Sequence, residues 1–120
     1  MNYPSLQNIK IATALAATLM IILPANAQED VNRGAEVYEE TCIACHGENG
    51  KGEIPGVPDF TSSKSPLAKE DIVLLDHIIN GFQGPTSDLE MPALGSNEDL
   101  TEQNIKDVIV YMRAKFKSGK

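Results

Sequence analysis

The chain has no tryptophan, two cysteines, and only three tyrosines and three phenylalanines in 120 residues. Two cysteines cannot make the several bridges that small secreted domains use in place of a large core. Positive charge is also scarce, with 10 Lys and Arg against 17 Asp and Glu for a net charge of −7. That balance excludes the polyanions: nucleic acid and anionic membrane surfaces are bound by clustered bases, which are missing here. Long apolar runs are lacking too. The stretch from Ile11 to Leu23 carries no charge but is 13 residues long, short of the ~20 needed to span a bilayer, so no stable membrane insertion is expected. No segment alternates convincingly as a strand, and no repeat is present.

That short run suits a cleaved leader better than an anchor. Lys10 and the amino terminus precede it, Pro24 ends it, and Ala25-Asn26-Ala27 is a small-x-small cleavage pattern. Residues 1–27 are therefore expected to be a signal peptide removed after Ala27, with Gln28 as the new amino terminus. No cysteine lies near the cut to take a lipid. The remaining residues, 28–120, form one small domain in which nine bases face 17 acids, a net −8. A chain this short buries a modest share of its surface and needs help to be stable. Its acidity favours partners that present a basic docking face.

Cys42-Ile43-Ala44-Cys45-His46 supplies the help. C-x-x-C-H is the signature of covalent c-type haem attachment. Thiols three positions apart lie on nearly one side of a helical turn, so both reach one porphyrin edge, and the imidazole after them is placed as proximal iron ligand. The rival uses of two cysteines fit poorly. A thioredoxin-like pair wants a βαβ pattern nearby. A structural zinc site needs four ligands, and His77, 31 positions after His46, matches no finger spacing. One haem would be the largest apolar group in the domain and the centre of its core.

Helical periodicity marks the rest. Val31, Ala35, Tyr38 and Cys42 recur at spacings of three and four over Asp30–Cys45, with Asp30 as cap. Gly34 interrupts this stretch at a cost of about 1 kcal/mol relative to Ala, which points to a close approach by another backbone. Gly47 to Pro58 is loop, with four Gly and two Pro in twelve residues. Ser65-Pro66 opens a helix whose main body begins near Lys69, with Ile72, Leu75, Ile79 and Phe82 as its apolar face and Gly81 as its stop. Gln83 to Gly95 reads as irregular. Thr101 caps a last helix through about Phe116, with Ile105, Val108, Ile109, Met112 and Phe116 as the buried stripe and its charges matched to the macrodipole. The fold class is small all-α.

A second axial ligand must come from Met91, Met112 or His77. Met112 lies on the last helix's apolar stripe, where filling core is the usual role of Met. His77 lies off its helix's apolar stripe, at an edge or solvated position. Met91 stands 45 residues after His46 in a loop, and Pro92 holds it extended. Met91 is the expected ligand, and His/Met ligation raises the iron potential. No acid/base pair beside the haem is evident, so no enzymatic role is expected.

With C-x-x-C-H near the amino end and M-P in the second half, the chain over residues 30–117 resembles a class I c-type cytochrome. The resemblance implies crossing amino- and carboxy-terminal helices around one covalent haem c, with Gly34, Tyr38 and Tyr111 at the crossing. It implies a proline carbonyl that accepts the proximal imidazole N–H, for which Pro58 matches best and Pro55 is the rival; such a bond orients the ring. It further implies a periplasmic one-electron carrier, or else a haem c redox subunit of a periplasmic dehydrogenase or oxidase. Haem attachment outside the cytoplasmic membrane agrees with the leader.

Overall fold

The computed structural model describes residues 29–85 and 87–117. The expected signal peptide, its cleavage after Ala27 and the new terminus at Gln28 lie outside the described residues. Among those described, no helix is long and apolar enough to cross a membrane.

Helix α1 spans Val31–Val37. Its cap is the expected one: Asp30 Oδ1 accepts from the amides of Asn32 and Arg33 at 2.8 and 3.3 Å. The helix then widens into a π-helical turn, Tyr38–Cys42, in which the Ile43 amide bonds to the Tyr38 carbonyl five residues back. A regular turn resumes as α2, Ile43–His46. The sequence pattern carried no sign of this π turn, which sets the rotation of Cys42 relative to α1. Such turns concentrate at functional sites.

The next helical segment divides in two. Ser65 Oγ accepts from the Leu67 amide at 3.2 Å and starts a short 3-10 turn, Pro66–Ala68. Lys69 and Glu70 are extended, so α3 runs from Asp71 to Asn80 and ends at Gly81, whose φ is +79°. The expected apolar face holds in part: Leu75 and Ile79 pack against the core, but Leu74 is the buried residue of α3, whereas Ile72 is 67 % exposed and Phe82 is 38 % exposed. The run I-V-L-L-D-H-I-I offers apolar residues on several faces, so periodicity alone could not choose among them.

The irregular stretch contains two strands the sequence did not announce. β1, Phe82–Gln83, pairs antiparallel with β2, Glu90–Met91, with Phe82 opposite Met91. A 3-10 turn, Ala93–Ser96, follows. Helix α4, Glu102–Phe116, begins in a reciprocal cap in which Thr101 Oγ1 accepts from the Asn104 amide and Asn104 Oδ1 accepts from the Thr101 amide, at 3.2 and 2.9 Å. All five residues of its expected stripe are buried.

The terminal helices α1 and α4 cross at Gly34, as its cost suggested. A Cβ there would overlap the Asp107 carbonyl oxygen and stand 2.8 Å from Tyr111 Cβ. The crossing is also polar, which sequence reasoning missed. Asp107 is completely buried. Its carboxylate accepts from the Asp30 amide at 2.8 Å and from Gln103 Nε2 at 2.9 Å, and lies 2.9 Å from Arg33 Nε. A buried carboxylate is tolerable only when paired and hydrogen-bonded in this way. At the other end of α4, Arg113 donates to the carbonyls of Leu67 and Lys69 at 3.1 and 2.7 Å and pairs with Asp71. Those bonds hold the loop before α3 against the last helix.

Candidate functional site

Cys42, Cys45 and His46 share one face of the chain because the π turn passes directly into α2. Cys42 is half-buried and Cys45 is exposed, and both are free thiols.

His46 is buried, and its ring lies flat against Phe60 with centroids 4.6 Å apart and planes at 16°. Desolvation pushes its pKa down to about 4, because burial disfavours the charged form. The imidazole is therefore neutral under ordinary conditions, the state that ligates a metal. Phe60 leans in turn on Phe116 at 5.9 Å, and Phe116 on Tyr38 at 5.4 Å. The Tyr38 hydroxyl donates to the Gly47 carbonyl at 2.7 Å within the core. An aromatic chain thus runs from the terminal-helix crossing to the imidazole and fixes the residue after it. The sequence reading assigned Tyr38 to the crossing but gave Phe60 no role. Its place two residues after Pro58 was the available clue.

The loop after His46 is closed by its own backbone. The amides of Gly52 and Glu53 donate to the carbonyls of His46 and Cys45, both at 2.9 Å, and Phe60 donates to Gly50 at 2.7 Å. Pro55 and Pro58 are exposed on this loop. His46 Nδ1 is buried and has no hydrogen-bond partner.

Met91 is half-buried at the end of β2. The carbonyl of Met91 packs where a Cβ on Gly81 would come within 2.8 Å. The other sulfur and imidazole candidates are engaged elsewhere. Met112 is buried in the α4 stripe. His77 stacks on Phe82 with centroids 3.9 Å apart, and Lys69 Nζ lies 5.2 Å from that same ring's centre.

A buried imidazole with an unpartnered ring nitrogen, directly after two cysteines, offers nitrogen and sulfur groups that suit haem c. No group of His, Cys, Asp and Glu among the described residues could hold a metal ion by itself.

Comparison with known proteins decides the family. Residues 29–112 match the model described as cytochrome C oxidase, cbb3-type, subunit III. The chain belongs to the class I c-type cytochromes. This cytochrome is 30 % identical over 90 residues to cytochrome c-555 of Prosthecochloris aestuarii, an alignment covering 71 % of the chain and 87 % of the relative. It is 33 % identical over 93 residues to the cbb3-type cytochrome c oxidase subunit FixP of Bradyrhizobium sp. (strain ORS 278), covering 77 % of the chain and 30 % of FixP. The gluconate 2-dehydrogenase cytochrome c subunit of Pantoea cypripedii is 31 % identical over 97 residues, covering 76 % of the chain and 22 % of that subunit. The cytochrome therefore spans under a third of the length of these two larger relatives.

Among solved structures, XoxG from Methylobacterium extorquens AM1 superposes with a TM-score of 0.56 at 26 % identity, covering 71 % of the chain and 49 % of XoxG. Cytochrome c6 of the diatom Phaeodactylum tricornutum gives 0.54 at 22 % identity, covering 76 % and 99 %, which bears on the fold alone. As a c-type cytochrome with one C-x-x-C-H, this protein carries one covalent haem c.

Proposed function

We propose that this cytochrome is a periplasmic one-electron carrier with His/Met-ligated haem c. The observation that carries the reading is His46: buried, with its Nδ1 lacking a hydrogen-bond partner, and directly after two cysteines. In this reading Cys42 and Cys45 would hold the haem through thioether links, and His46 and Met91 would ligate its iron. The haem supplies a ferric/ferrous couple; the chain supplies its surroundings. With both of these side chains on the iron, no position would be left for a substrate, and the chain's part would be to exchange electrons without binding one.

Each neighbouring residue then has a task. Phe60, flat against the His46 ring, limits its rotation. The ring nitrogen not used for iron needs an acceptor, and Pro58, two residues before Phe60, is our candidate, with Pro55 as the rival. Such an acceptor increases the donor strength of the imidazole. Five of the large apolar side chains that remain exposed, Ile54, Ile72, Val73, Phe82 and Leu89, lie between His46 and Met91 in sequence. They are the apolar surface that a macrocycle wrapped by this segment would cover. Export with cleavage after Ala27 and partners with a basic docking face complete the proposal. The acidic balance supports the latter.

A second reading, a redox subunit of a periplasmic dehydrogenase or oxidase, draws support from the family model and the likeness to FixP and the gluconate 2-dehydrogenase subunit. The first reading is favoured by cytochrome c-555, which the chain matches over nearly its whole length. Co-purification with an enzyme at high salt separates them.

Met91→Ala tests the ligation. The variant should lose the weak long-wavelength sulfur-to-iron charge-transfer band of the ferric protein, fall in potential and bind carbon monoxide readily when ferrous. Met112→Leu should change none of these. Rapid carbon monoxide binding by the unmodified ferrous protein would sink the closed-iron carrier.

A further inference from the structure

The turn after Met91 is held in an unfavourable conformation. Leu94, Gly95 and Ser96 follow one another in the left-handed region, with φ of +54°, +60° and +67°. L side chains disfavour that region because Cβ crowds the backbone, and non-glycine residues stay there only where their surroundings hold them. Within the turn itself two backbone bonds act: the Gly95 amide to Pro92 and the Asn97 amide to Leu94, at 3.1 and 3.0 Å.

The remaining hold comes from across the molecule: Leu94 packs against the core, and Thr41 meets the turn from the other side. Asn97 Nδ2 donates to Thr41 Oγ1 at 3.0 Å in a half-buried position, 56 residues apart in sequence. Gly95 sits over the same side chain, so closely that a Cβ on it would stand 2.7 Å from Thr41 Cγ2. Asn97 is oriented for this bond because its Oδ1 accepts from the Asp99 amide at 3.2 Å. Thr41 is the last residue before Cys42. Its hydroxyl and methyl therefore join the turn that follows Met91 to the turn that bears the first cysteine.

We infer that the Thr41 hydroxyl and the Asn97 amide form a latch that positions the Met91 segment against the haem-attachment turn. The inference rests on the reading of Cys42 as attachment point and Met91 as axial ligand. The iron keeps Met91 only while the segment stays seated. Opening of the latch would let the Met91 thioether leave with its lone pair, with no change in the iron's oxidation state, and would free a position that an outside base could take. Thr41 and Asn97 are positioning residues in this scheme: neither reaches the iron, and both set how often Met91 is away from it.

The test is an equilibrium titration of the ferric holoprotein with imidazole, a base that binds only when Met91 has left. Its apparent affinity scales with the population of the open form. Thr41→Val keeps the shape and removes the hydroxyl; it should tighten apparent imidazole binding roughly fivefold, the equivalent of about 1 kcal/mol for one neutral hydrogen bond at about 1.4 kcal/mol per tenfold. Thr41→Ser restores the hydroxyl and should bind imidazole within about twofold of the parent. Gly95→Ala, which pushes the turn off Thr41 by a different contact, should tighten binding as well.

Three results overturn the latch. Thr41→Val with parental imidazole affinity, beside a Met91→Ala variant that binds much more tightly, removes the latch and leaves Met91 as ligand. Equal tightening by Tyr38→Phe, which loosens the core elsewhere, would make the effect one of general stability. If Met91→Ala changes neither the charge-transfer band nor imidazole affinity, the ligation reading fails and the latch with it.

Discussion

Replacing Gly34 by Ala adds one methyl group at the crossing of α1 and α4. Little on the α4 side can give way, because the added atom meets mainly backbone: the Asp107 carbonyl oxygen overlaps it, the carbonyl carbon is 2.6 Å away, and Tyr111 Cβ is 2.8 Å away. Ordinary van der Waals contact begins near 3.4 Å, so the helices must separate by about 0.8 Å to relieve the carbonyl carbon alone. That separation pulls on the Asp30 amide bond and the Arg33 pair to Asp107, at 2.8 and 2.9 Å, and Asp107 is fully buried with no water to replace them. Overpacking of this kind costs about 1–3 kcal/mol, and the weakened bonds to a buried carboxylate add to it. Ala is the better helix former by about 1 kcal/mol, which offsets part. The net expectation is a loss of about 2 kcal/mol, a fall in Tm of roughly 8–16 °C for a domain of under 100 residues. Circular-dichroism melts of the holoprotein measure it. Gly84→Ala is the control, since a Cβ there would find its nearest neighbour at 3.7 Å and no positive φ. A Gly34→Ala melt that coincides with the parent, or one matched by Gly84→Ala, would refute the close crossing.

Tyr38→Phe should keep the ring contacts with Tyr111 and Phe116, at 5.5 and 5.4 Å, but leave the Gly47 carbonyl without its donor. A loss of about 1–2 kcal/mol in denaturant titration is expected for an unsatisfied buried acceptor, and an unchanged midpoint would mean the bond contributes nothing. Amino-terminal sequencing of exported protein should begin at Gln28, in a soluble fraction. Recovery of chains that still carry Met1 from washed membranes would instead mean that the leader stays as a tether.

The covalent haem was legible because C-x-x-C-H is a contiguous motif, and chemistry carried by five consecutive residues does not depend on the fold. Caps were legible for the same reason of locality: Asp30 and Thr101 bond amides two or three residues away. The α4 stripe was legible because its apolar residues fall on one face only. Even the close approach at Gly34 could be read, since an unfavourable residue in a helix calls for a cause. Its partner could be named only by analogy with the family.

What the tertiary structure alone decided is non-local. Which face of α3 turns inward depended on what packs there, because six apolar residues in that run left the choice open. The π turn and the β1–β2 pairing arise from small backbone adjustments with no residue signature. Asp107 has no sequence signal that sets it apart, yet the crossing brings the Asp30 amide, Arg33 and Gln103 to it and makes burial tolerable. The stacking of Phe60 on His46 and the bond from Asn97 to Thr41 join residues 14 and 56 positions apart. Local sequence sets which groups are available; only the closed fold sets which of them meet, because the entropy of bringing distant segments together is recovered by the packed domain as a whole and by no single pair.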